Sequence, residues 1–317
     1  MIPGLPQALR EAVDALLEGV SRKDLAARAQ AISAAYRGGG GSDRAVADVL
    51  DTLAYVVARL PATYAVARAV LDDVRTALPG FAPNSLLDVG AGPATASWAA
   101  RGVWPSIAKL TLTDSNPHFL DLARKLSPAT QAEFLTRDLR RDELSAADLI
   151  VAGYILAEIP AAAQRQTVER LLDAALDVLV LIEPGTPEGF ARIRAAREVA
   201  IAKGTHVLGP CTHANVCPMT KTDWCHFSQR LPRSRDHMQA KGASVPYEDE
   251  RYAWLAVGRR RRSAFEGRAR VLAPPKETKP GIEFKLCTAD GLENRFVPRR
   301  DKPAFAALRK AQWGGVV

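Results

Sequence analysis

The sequence contains little cysteine and no long apolar segment. Four cysteines in 317 residues exclude the small secreted domains in which disulfides replace a hydrophobic core. No uninterrupted apolar run approaches the ~20 residues of a membrane-spanning helix, and the opening residues MIPGLPQALREAVDALLEG contain neither a basic leader nor the compact apolar segment of a signal peptide. We therefore expect a cytoplasmic protein without a membrane association, whose cysteines act as ligands or catalytic groups rather than as disulfides.

Length and composition are those of an ordinary folded protein. Hydrophobic residues make up 47% of the chain and charged residues 25%, which argues against intrinsic disorder. The length of 317 residues is enough for two or three domains, each with its own core. The sequence does not specify an oligomeric state, and we expect a monomer.

Positive charge is concentrated in the C-terminal part. The chain carries a formal charge of +8, but residues 201–317 contain 22 Lys/Arg against 11 Asp/Glu, a net of +11, whereas residues 1–200 have a net of −3. This asymmetry favours a polyanionic partner for one region, with solubility alone as the alternative. Guanidinium groups neutralise phosphates, so we expect structured RNA as the partner. The candidate RNA-binding residues are Arg230, Arg233, Arg235, Arg259, Arg260, Arg261, Arg262, Arg299, Arg300 and Lys302.

The hydrophobic pattern changes twice along the chain. The first eighty residues show helical spacing, interrupted by the turn-like GGGGS at 38–42. From Asn84, strand-like runs alternate with amphipathic segments, which predicts a parallel sheet with its ligand site at the carboxyl ends of the strands. After Lys203 short strands predict an antiparallel extension, in which residues 252–258 complete the central sheet. We therefore expect a helical cap (1–80), a Rossmann-like nucleoside-binding domain (81–205), a cysteine-rich metal-binding segment (206–250) and a basic β-rich module (251–317).

A glycine-rich turn follows the first predicted strand, in SLLDVGAGPAT. Gly90 and Gly92 allow a ligand to approach the backbone at a helix N-terminus, although a plain turn without a ligand is the alternative. The third glycine of a dinucleotide site is absent and Pro93 removes one donor, which argues against NAD. The next strand ends at Asp114, ~20 residues downstream, where an acid meets ribose hydroxyls. The glycine turn after the first predicted strand and Asp114 at the end of the second therefore predict a nucleoside site.

This arrangement resembles the class I S-adenosylmethionine-dependent methyltransferases. The resemblance implies that Asp88 and the glycine loop hold the methionine part, Asp114 the ribose and Asp138 the adenine amine. Together with the patterns above, it predicts an α/β, class I methyltransferase (Rossmann-like) fold, in which a parallel sheet is joined by an N-terminal helical cap and a C-terminal cysteine-rich loop plus small β module. The cofactor-binding residues that we predict are Asp88, Gly90, Ala91, Gly92, Asp114, Ser115, Asp138, Leu139 and Tyr154.

Three of the four cysteines lie in the loop GPCTHANVCPMTKTDWCHFS. Cys211, Cys217 and Cys225 have the spacing C-x5-C-x7-C, and Cys287 lies in a late predicted strand. Four thiolates from distant segments would staple the loop to the C-terminal module, and both zinc and an iron–sulfur cluster accept four thiolates. The spacing does not choose between these two.

Other interpretations of the cysteines stay open. His213 and His226 are interleaved with the cysteines and are potential ligands of a mixed zinc site. Free thiols also occur as small unligated core residues, but a polar loop rich in Pro, His and Trp is not typical of a core. A nucleophilic Cys211 lacks a base at a defined spacing.

Four blocks identify a more specific resemblance. They are EPGTPEGF (183–190), GPCTHANVCPMTKTDWCHFSQR, YEDERYAWLAV and CTADG, and together they resemble methyltransferase-like proteins that associate with the small ribosomal subunit in bacteria and mitochondria. The resemblance extends from about residue 80 to residue 317. It implies that the four cysteines ligate a [4Fe–4S] cluster, with zinc as the alternative. It also implies that the glycine loop binds S-adenosylmethionine, and that the protein acts on rRNA in maturation of the small subunit.

No catalytic residue can be assigned. Tyr154 and Glu158 follow the fourth predicted strand, but the (Asp/Asn)-Pro-Pro-aromatic motif of amine-modifying methyltransferases is absent there. The loops after the fourth and fifth strands also lack the thiol that cysteine-based base methylation needs. These absences favour a non-catalytic RNA-binding assembly factor. An active rRNA methyltransferase and a small-molecule methyltransferase with structural zinc are the alternatives.

Overall fold

The structure is a computed structural model that describes residues 4–37, 46–127, 131–220, 222–260 and 262–317. The predicted turn at 38–42 and the predicted RNA-binding Arg261 lie outside the described residues. The N-terminal part is helical, as its apolar spacing predicts. Its helices are α1 (Gln7–Leu16), α2 (Arg22–Arg37) and α3 (Val49–Ala77).

Helix α3 is the central helix of the protein. The Asp48 side chain caps its N-terminus by accepting a hydrogen bond from the Asp51 N–H at 2.9 Å. Among the described residues it is the one helix that is long and apolar enough, by length and composition alone, to cross a membrane. However, 67% of its most apolar window is buried inside the protein, as expected of a core helix.

Five parallel strands form the centre of the sheet, in the order β3-β2-β1-β4-β5. Each strand is short and apolar, and amphipathic helices connect them. In chain order the elements are β1 (Ser85–Val89), α4 (Thr95–Val103), β2 (Lys109–Asp114), α5 (Pro117–Leu126), β3 (Glu133–Thr136), β4 (Ala147–Gly153), α6 (Ala161–Ala174), β5 (Ala175–Pro184) and α7 (Pro187–Ala202).

Antiparallel strands extend this sheet beyond β5. The elements are β6 (His206–Gly209), β7 (Phe227–Pro232), α8 (Arg235–Lys241) and β8 (Tyr247–Gly258). Strand β8 lies antiparallel to β5, with Tyr252 opposite Pro184 and Gly258 opposite Val178, and it also pairs with β6 and β7. The prediction that residues 252–258 complete the sheet is confirmed. The predicted α/β class I methyltransferase fold is confirmed as well.

Both faces of the sheet are covered because alternate strand residues point to opposite sides. On β1, Leu86 packs in one apolar cluster with Val70 and Leu71 of α3. The next residue, Leu87, packs in a second cluster with Leu171 of α6 and Ile193 of α7. The sheet therefore lies between α3 on one face and α6 with α7 on the other.

The C-terminal residues form a second, smaller antiparallel sheet, as predicted. Its elements are β9 (Arg270–Val271), β10 (Lys276–Glu277), β11 (Gly281–Thr288) and β12 (Gly291–Pro298), followed by α9 (Lys302–Leu308). Its own core is small and includes Val271, Phe284, Leu286 and Val297. The four domain boundaries given above stay a prediction.

Candidate functional site

A cavity of about 720 Å³ opens at the carboxyl ends of the parallel strands. This volume lies within the range of roughly 300–1,000 Å³ that is usual for small-molecule and cofactor sites. The cavity is where the topology of an open parallel sheet predicts a ligand. The predicted cofactor residues that line it are Gly90, Gly92, Asp114, Ser115, Asp138, Leu139 and Tyr154.

The glycine loop needs its glycines for conformation and for space. Gly90 and Gly92 have φ values of +64° and +50°, in the left-handed region that L side chains rarely adopt. A Cβ at Gly90 would also lie 2.3 Å from Ile155 Cγ2. Asp114 Oδ2 accepts a hydrogen bond from the Gly92 N–H at 2.9 Å, and Asp114 Oδ1 accepts one from the Asn116 N–H at 2.9 Å. Asp114 therefore holds two loops in place, the glycine loop after β1 and the loop after β2. The nucleoside is predicted to bind beside these loops.

Asp88 lies beneath the glycine loop rather than in the cavity wall. It is 2% exposed, and its Oδ2 accepts hydrogen bonds from the Ser97 N–H at 2.9 Å and the Ser97 Oγ–H at 2.6 Å. Burial raises the pKa of Asp88 to about 7, against the lowering effect of these hydrogen bonds. Asp88 therefore anchors α4 to the loop. Ala91 is also buried away from the lining, and a direct contact of either residue with a cofactor stays a prediction.

Asp138 is engaged by a neighbouring arginine at the end of β3. Arg140 donates to its two carboxylate oxygens from Nε at 2.8 Å and Nη2 at 2.7 Å. Hydrogen bonding from Arg140 lowers the pKa of Asp138 to about 2, so the group is a carboxylate at neutral pH. Its predicted contact with an adenine amine stays a prediction.

Helix α3 contributes two cavity residues that sequence reasoning missed. Tyr55 and Arg59 line the cavity, and Arg59 Nη2 lies 2.9 Å from Glu250 Oε1. The Arg59 guanidinium is also 5.9 Å from the centre of the Tyr154 ring. The only signal in the sequence is an arginine inside an otherwise apolar helical segment, VVARLPA.

Tyr154 combines two unusual features at the end of β4. Its φ of +63° is in the left-handed region, which is costly for a residue with a large side chain. Its hydroxyl is buried and has no hydrogen-bond partner among the described residues. Strain and an unpaired donor together are typical of residues held for a function.

The block EPGTPEGF forms the junction between β5 and α7. Glu183 is buried, lies 2.7 Å from Arg192 Nε and accepts a hydrogen bond from the Leu156 N–H at 3.0 Å. Burial raises the pKa of Glu183, and the charge of Arg192 opposes this rise. A Cβ at Gly189 would lie 2.0 Å from the Pro184 carbonyl oxygen, so only glycine fits there. Through Glu183, this junction connects the loop that follows β4 with helix α7 beside the large cavity.

All four cysteines line a second, smaller cavity of about 30 Å³. Cys211, Cys217 and Cys225 reach it from the loop between β6 and β7, and Cys287 reaches it from β11 of the small sheet. The structure therefore brings together the four thiols that the sequence placed far apart. The apolar residues of the lining are Phe190, Ile193, Pro210, Met219, Phe227, Ala253, Trp254, Leu255 and Leu272.

The thiols are close enough to influence one another. Burial raises the pKa of Cys225 well above its usual value and that of Cys287 to about 12, and the neighbouring cysteines raise both further. Without a cation these thiols are therefore protonated at neutral pH. No group of three or more His, Cys, Asp or Glu side chains in the described part of the chain is arranged to hold a metal ion. The structure thus shows that the four cysteines line one cavity. It does not show a metal site among the described residues.

The two histidines of the loop have different surroundings. His213 is buried with its Nε2 3.4 Å from Cys287 Sγ. His226 stacks on Trp224, with ring centres 5.1 Å apart, and meets the edge of Trp313. The described lining of the small cavity includes neither imidazole.

Ion pairs divide the predicted RNA-binding residues into two groups. Arg230 pairs with Asp249 at 2.7 Å, Arg233 with Glu248 at 3.4 Å, Arg262 with Glu266 at 3.9 Å, and Arg299 with Glu277. The remaining predicted residues are exposed and form no ion pair within the described ranges. They are Arg235, Arg259, Arg260, Arg300 and Lys302.

Arg259 and Arg260 directly follow β8. They lie at the end of the strands that is opposite the large cavity. Because β8 runs antiparallel to β5, its end at Gly258 is next to the beginning of β5, and the Arg259 N–H donates to the Asp177 carbonyl at 2.9 Å. Tyr252, at the cavity end, lies six residues earlier. At ~3.3 Å per residue, this separates the arginines from the cavity edge by about 20 Å.

Comparison with known proteins decides the family. A family model described as mitochondrial small ribosomal subunit Rsm22 matches residues 49–317. The chain belongs to the Rsm22 family. The predicted resemblance is thereby confirmed, and the match begins within α3 rather than near residue 80. It therefore includes Tyr55, Arg59 and the four cysteines.

Two curated relatives match most of this chain at low identity. Human ribosome assembly protein METTL17, mitochondrial, is 25% identical over 289 residues, which cover 84% of this chain and 62% of the human protein. Rsm22-cox11 tandem protein 2, mitochondrial, of Schizosaccharomyces pombe is 25% identical over 350 residues, covering 92% of this chain and 46% of that protein. The chain thus spans about half to three-fifths of the length of these relatives.

Several solved structures also match at low identity. Magnesium protoporphyrin IX methyltransferase from Synechocystis, with bound SAH, gives a TM-score of 0.40 at 13% identity, covering 71% of this chain and 92% of that one. The N-methyltransferase NodS of Bradyrhizobium japonicum, in complex with S-adenosyl-l-homocysteine, gives 0.42 at 11% identity, covering 73% and 99%. The fold assignment of this Rsm22-family chain depends on its own sheet order, described above.

Proposed function

We propose that this protein is an assembly factor of the small ribosomal subunit. In this proposal it binds rRNA, holds S-adenosylmethionine in the large cavity and holds a [4Fe–4S] cluster between its four cysteines. Family membership supports it, since the human relative is named a ribosome assembly protein. In the same proposal the protein is cytoplasmic and not associated with a membrane, and the reducing environment of the cytoplasm keeps the thiols available as ligands.

The position of the unpaired arginines is the observation that carries the proposal. Arg259 and Arg260 are exposed and lie at the edge of the sheet opposite the large cavity. Arg230 on β7 and Arg233 just after it are neutralised by acids, whereas the exposed Arg235 forms no ion pair in the described part of the chain. RNA held by Arg259 and Arg260 is therefore not directed into the proposed methyl-donor site. This separation favours assembly by binding over methyl transfer.

A methyl-transfer assay separates this function from the second candidate, an active rRNA methyltransferase. Purified protein is incubated with labelled S-adenosylmethionine and immature small-subunit RNA, in parallel with an Asp88→Ala variant. Binding to the particles without label in the RNA is the expected result. Label that requires Asp88 would instead establish the enzyme. Absence of RNA binding at moderate salt would favour a small-molecule methyltransferase with structural zinc.

Removing the unpaired arginines should weaken RNA binding strongly. We expect an Arg259→Ala/Arg260→Ala variant to bind small-subunit RNA about 10-fold or more weakly at moderate salt, because each arginine releases counterions from the RNA. The slope of log K against log salt should fall by about 2, roughly one for each phosphate contact. Filter binding at several salt concentrations measures both quantities.

The matched control uses the paired arginines. Arg230→Ala/Arg233→Ala removes the same charge from residues whose guanidiniums are occupied by Asp249 and Glu248. We expect a change smaller than about threefold, since guanidiniums that are already paired with acids are less available to phosphates. Equal losses in the two double variants would contradict the division into paired and unpaired residues.

Asp114 is the cavity-lining acid that, in this proposal, holds the ribose of the cofactor. We expect Asp114→Ala to weaken S-adenosylmethionine binding by about 10- to 100-fold, because hydrogen bonds to a charged group contribute ~1.5–3 kcal/mol. The loss of its contact with the Gly92 N–H also frees the glycine loop. Isothermal titration calorimetry measures the affinity. An Asp121→Ala control removes an exposed acid of α5 and should bind like wild type, and weak binding by the control would point to a general charge effect.

The residues at the small cavity fit a metal–thiolate centre. Soft thiolate ligands in a largely apolar cavity suit zinc and iron–sulfur clusters and do not suit magnesium or calcium. Cys211, Cys217, Cys225 and Cys287 would hold the group. When bound, a [4Fe–4S] cluster supplies one-electron chemistry and a cross-link between the loop and the small sheet. We propose an iron–sulfur cluster rather than zinc because of the family resemblance. The cysteine spacing does not distinguish the two.

Metal analysis of anaerobically purified protein tests the centre directly. A brown protein with about four irons per chain supports the cluster. One zinc per chain, without visible absorption, would replace the cluster by the zinc alternative.

A further inference from the structure

Two buried arginines flank the cavity that the cysteines line. Arg197 on α7 is 4% exposed and Arg270 on β9 is 2% exposed. A buried charge is stable only when it is paired with an opposite charge or otherwise compensated. The two arginines differ in how their buried charge is compensated.

Arg270 has a counter-ion within the protein. Its guanidinium lies 3.0 Å from Asp73 Oδ2 and donates to the carbonyls of Pro210 at 2.7 Å and Gly314 at 2.6 Å. It is not among the described residues that line the small cavity. Its role is to hold the backbone in front of Cys211.

Arg197 has no counter-ion among the described residues. Its Nη2 donates to the carbonyls of His213 and Asn215, both at 2.8 Å, and both carbonyls belong to the segment between Cys211 and Cys217. No carboxylate in the described part of the chain forms an ion pair with it. Carbonyl groups satisfy two donor positions but do not neutralise the charge.

One donor of Arg197 is also unused. Its Nε is buried and makes no hydrogen bond to any other described residue. The Arg197 side chain lines the small cavity, and its guanidinium lies beside the Cys211 thiol. An unpaired buried N–H at a cavity wall indicates an acceptor that occupies the cavity.

We propose that Arg197 is the counter-ion and hydrogen-bond donor of the metal–thiolate centre. Its Nε–H donates to a sulfur of the centre, and its charge offsets the net negative charge that four thiolates leave on a bound cluster. This inference rests on the centre proposed above. Net charge and hydrogen bonds to sulfur are the two terms by which a protein sets the potential and retention of a cluster. Arg197 is therefore a positioning residue, which acts through the cysteines and the cluster.

The experiment compares three variants of the full chain, reconstituted anaerobically with iron and sulfide. Arg197→Met removes the charge and the donors, whereas Arg197→Lys keeps the charge and removes Nε. Lys203→Met is the matched control, since Lys203 directly follows the same helix, pairs with Asp173 and is not among the described residues that line the small cavity. Iron per chain, the rate of iron release to a chelator and the reduction potential of the retained cluster are measured.

We expect Arg197→Met to release iron at least about tenfold faster than wild type and to shift the reduction potential to a lower value. The shift follows because the reduced cluster carries more negative charge and depends more on the cation and its hydrogen bond. Arg197→Lys should retain iron better than Arg197→Met while its potential stays below that of wild type. Lys203→Met should match wild type in all three measurements.

The failures of the two proposals are distinguishable. If wild type binds no iron, or only zinc, the proposed cluster fails and this inference fails with it. If wild type holds the cluster and Arg197→Met equals Lys203→Met, only the role of Arg197 is overturned. If Arg197→Met releases iron faster but keeps the wild-type reduction potential, Arg197 only supports the cysteine loop. That result also overturns the proposed role of Arg197. If Arg197→Met does not fold, a wild-type potential in Arg197→Lys overturns the hydrogen bond.

Discussion

Replacing Cys225 with serine is expected to remove most of the bound metal and to lower the midpoint of thermal unfolding by about 10 °C or more. Cys225 belongs to the loop, while Cys287 lies on β11 of the small sheet, and both face the same cavity. A four-thiolate centre therefore links two parts of the chain, and the small sheet has only a modest core of its own. Metal analysis and circular dichroism melting curves, recorded with and without a chelator, measure both effects.

His226 provides the adjacent control for this experiment. Its imidazole stacks on Trp224 and is outside the described lining of the small cavity. We expect His226→Ala to retain wild-type metal content. Full metal content in the Cys225→Ser variant, or loss of metal in His226→Ala, would contradict the four-cysteine centre and revive a mixed Cys/His site.

Arg270→Met is expected to lower the free energy of unfolding by about 3–5 kcal/mol, the usual cost of breaking a buried ion pair by removing one partner. The substitution leaves Asp73 without its cation and leaves the carbonyls of Pro210 and Gly314 without a donor. Arg270 also lies 5.9 Å from the ring of Trp254. Urea denaturation of the metal-free protein measures this free energy without a contribution from ligand binding.

Arg268→Met serves as the comparison for this variant. Arg268 is two residues away, is exposed and forms no ion pair in the described ranges, so its replacement should change the free energy by less than about 0.5 kcal/mol. A similarly small change in Arg270→Met would show that the buried guanidinium is not needed to hold the cysteine loop, the C-terminal residues and α3 together.

Local sequence patterns were sufficient for most of the fold. The five parallel strands follow from short apolar runs bounded by turn residues, and β8 follows from the run YAWLAVG. The glycine loop and Asp114 were also predictable, since each ends a strand at the edge where ligands bind. These features depend on residues that are close in sequence, and their pattern is therefore readable without the fold.

Long-range contacts were not predictable in the same way. Nothing in the sequence places Tyr55 and Arg59 in the cavity wall, because helix packing decides which face of α3 meets the sheet. The pairing of Arg230 with Asp249 depends on the register of β7 and β8. A basic run in the sequence therefore overstates the charge that is available to RNA.

The amino-acid sequence by itself determined the strand and helix order, the glycine loop, the set of four cysteines and the family blocks, because all of these are local patterns of residue type and spacing. Tertiary structure alone decided that the four thiols share one cavity, that Arg197 lies buried beside them without a counter-ion among the described residues, and that Arg259 and Arg260 lie on the edge opposite the large cavity. The reason is physical: burial and charge pairing depend on which distant segments pack together, and that packing is a property of the whole folded chain.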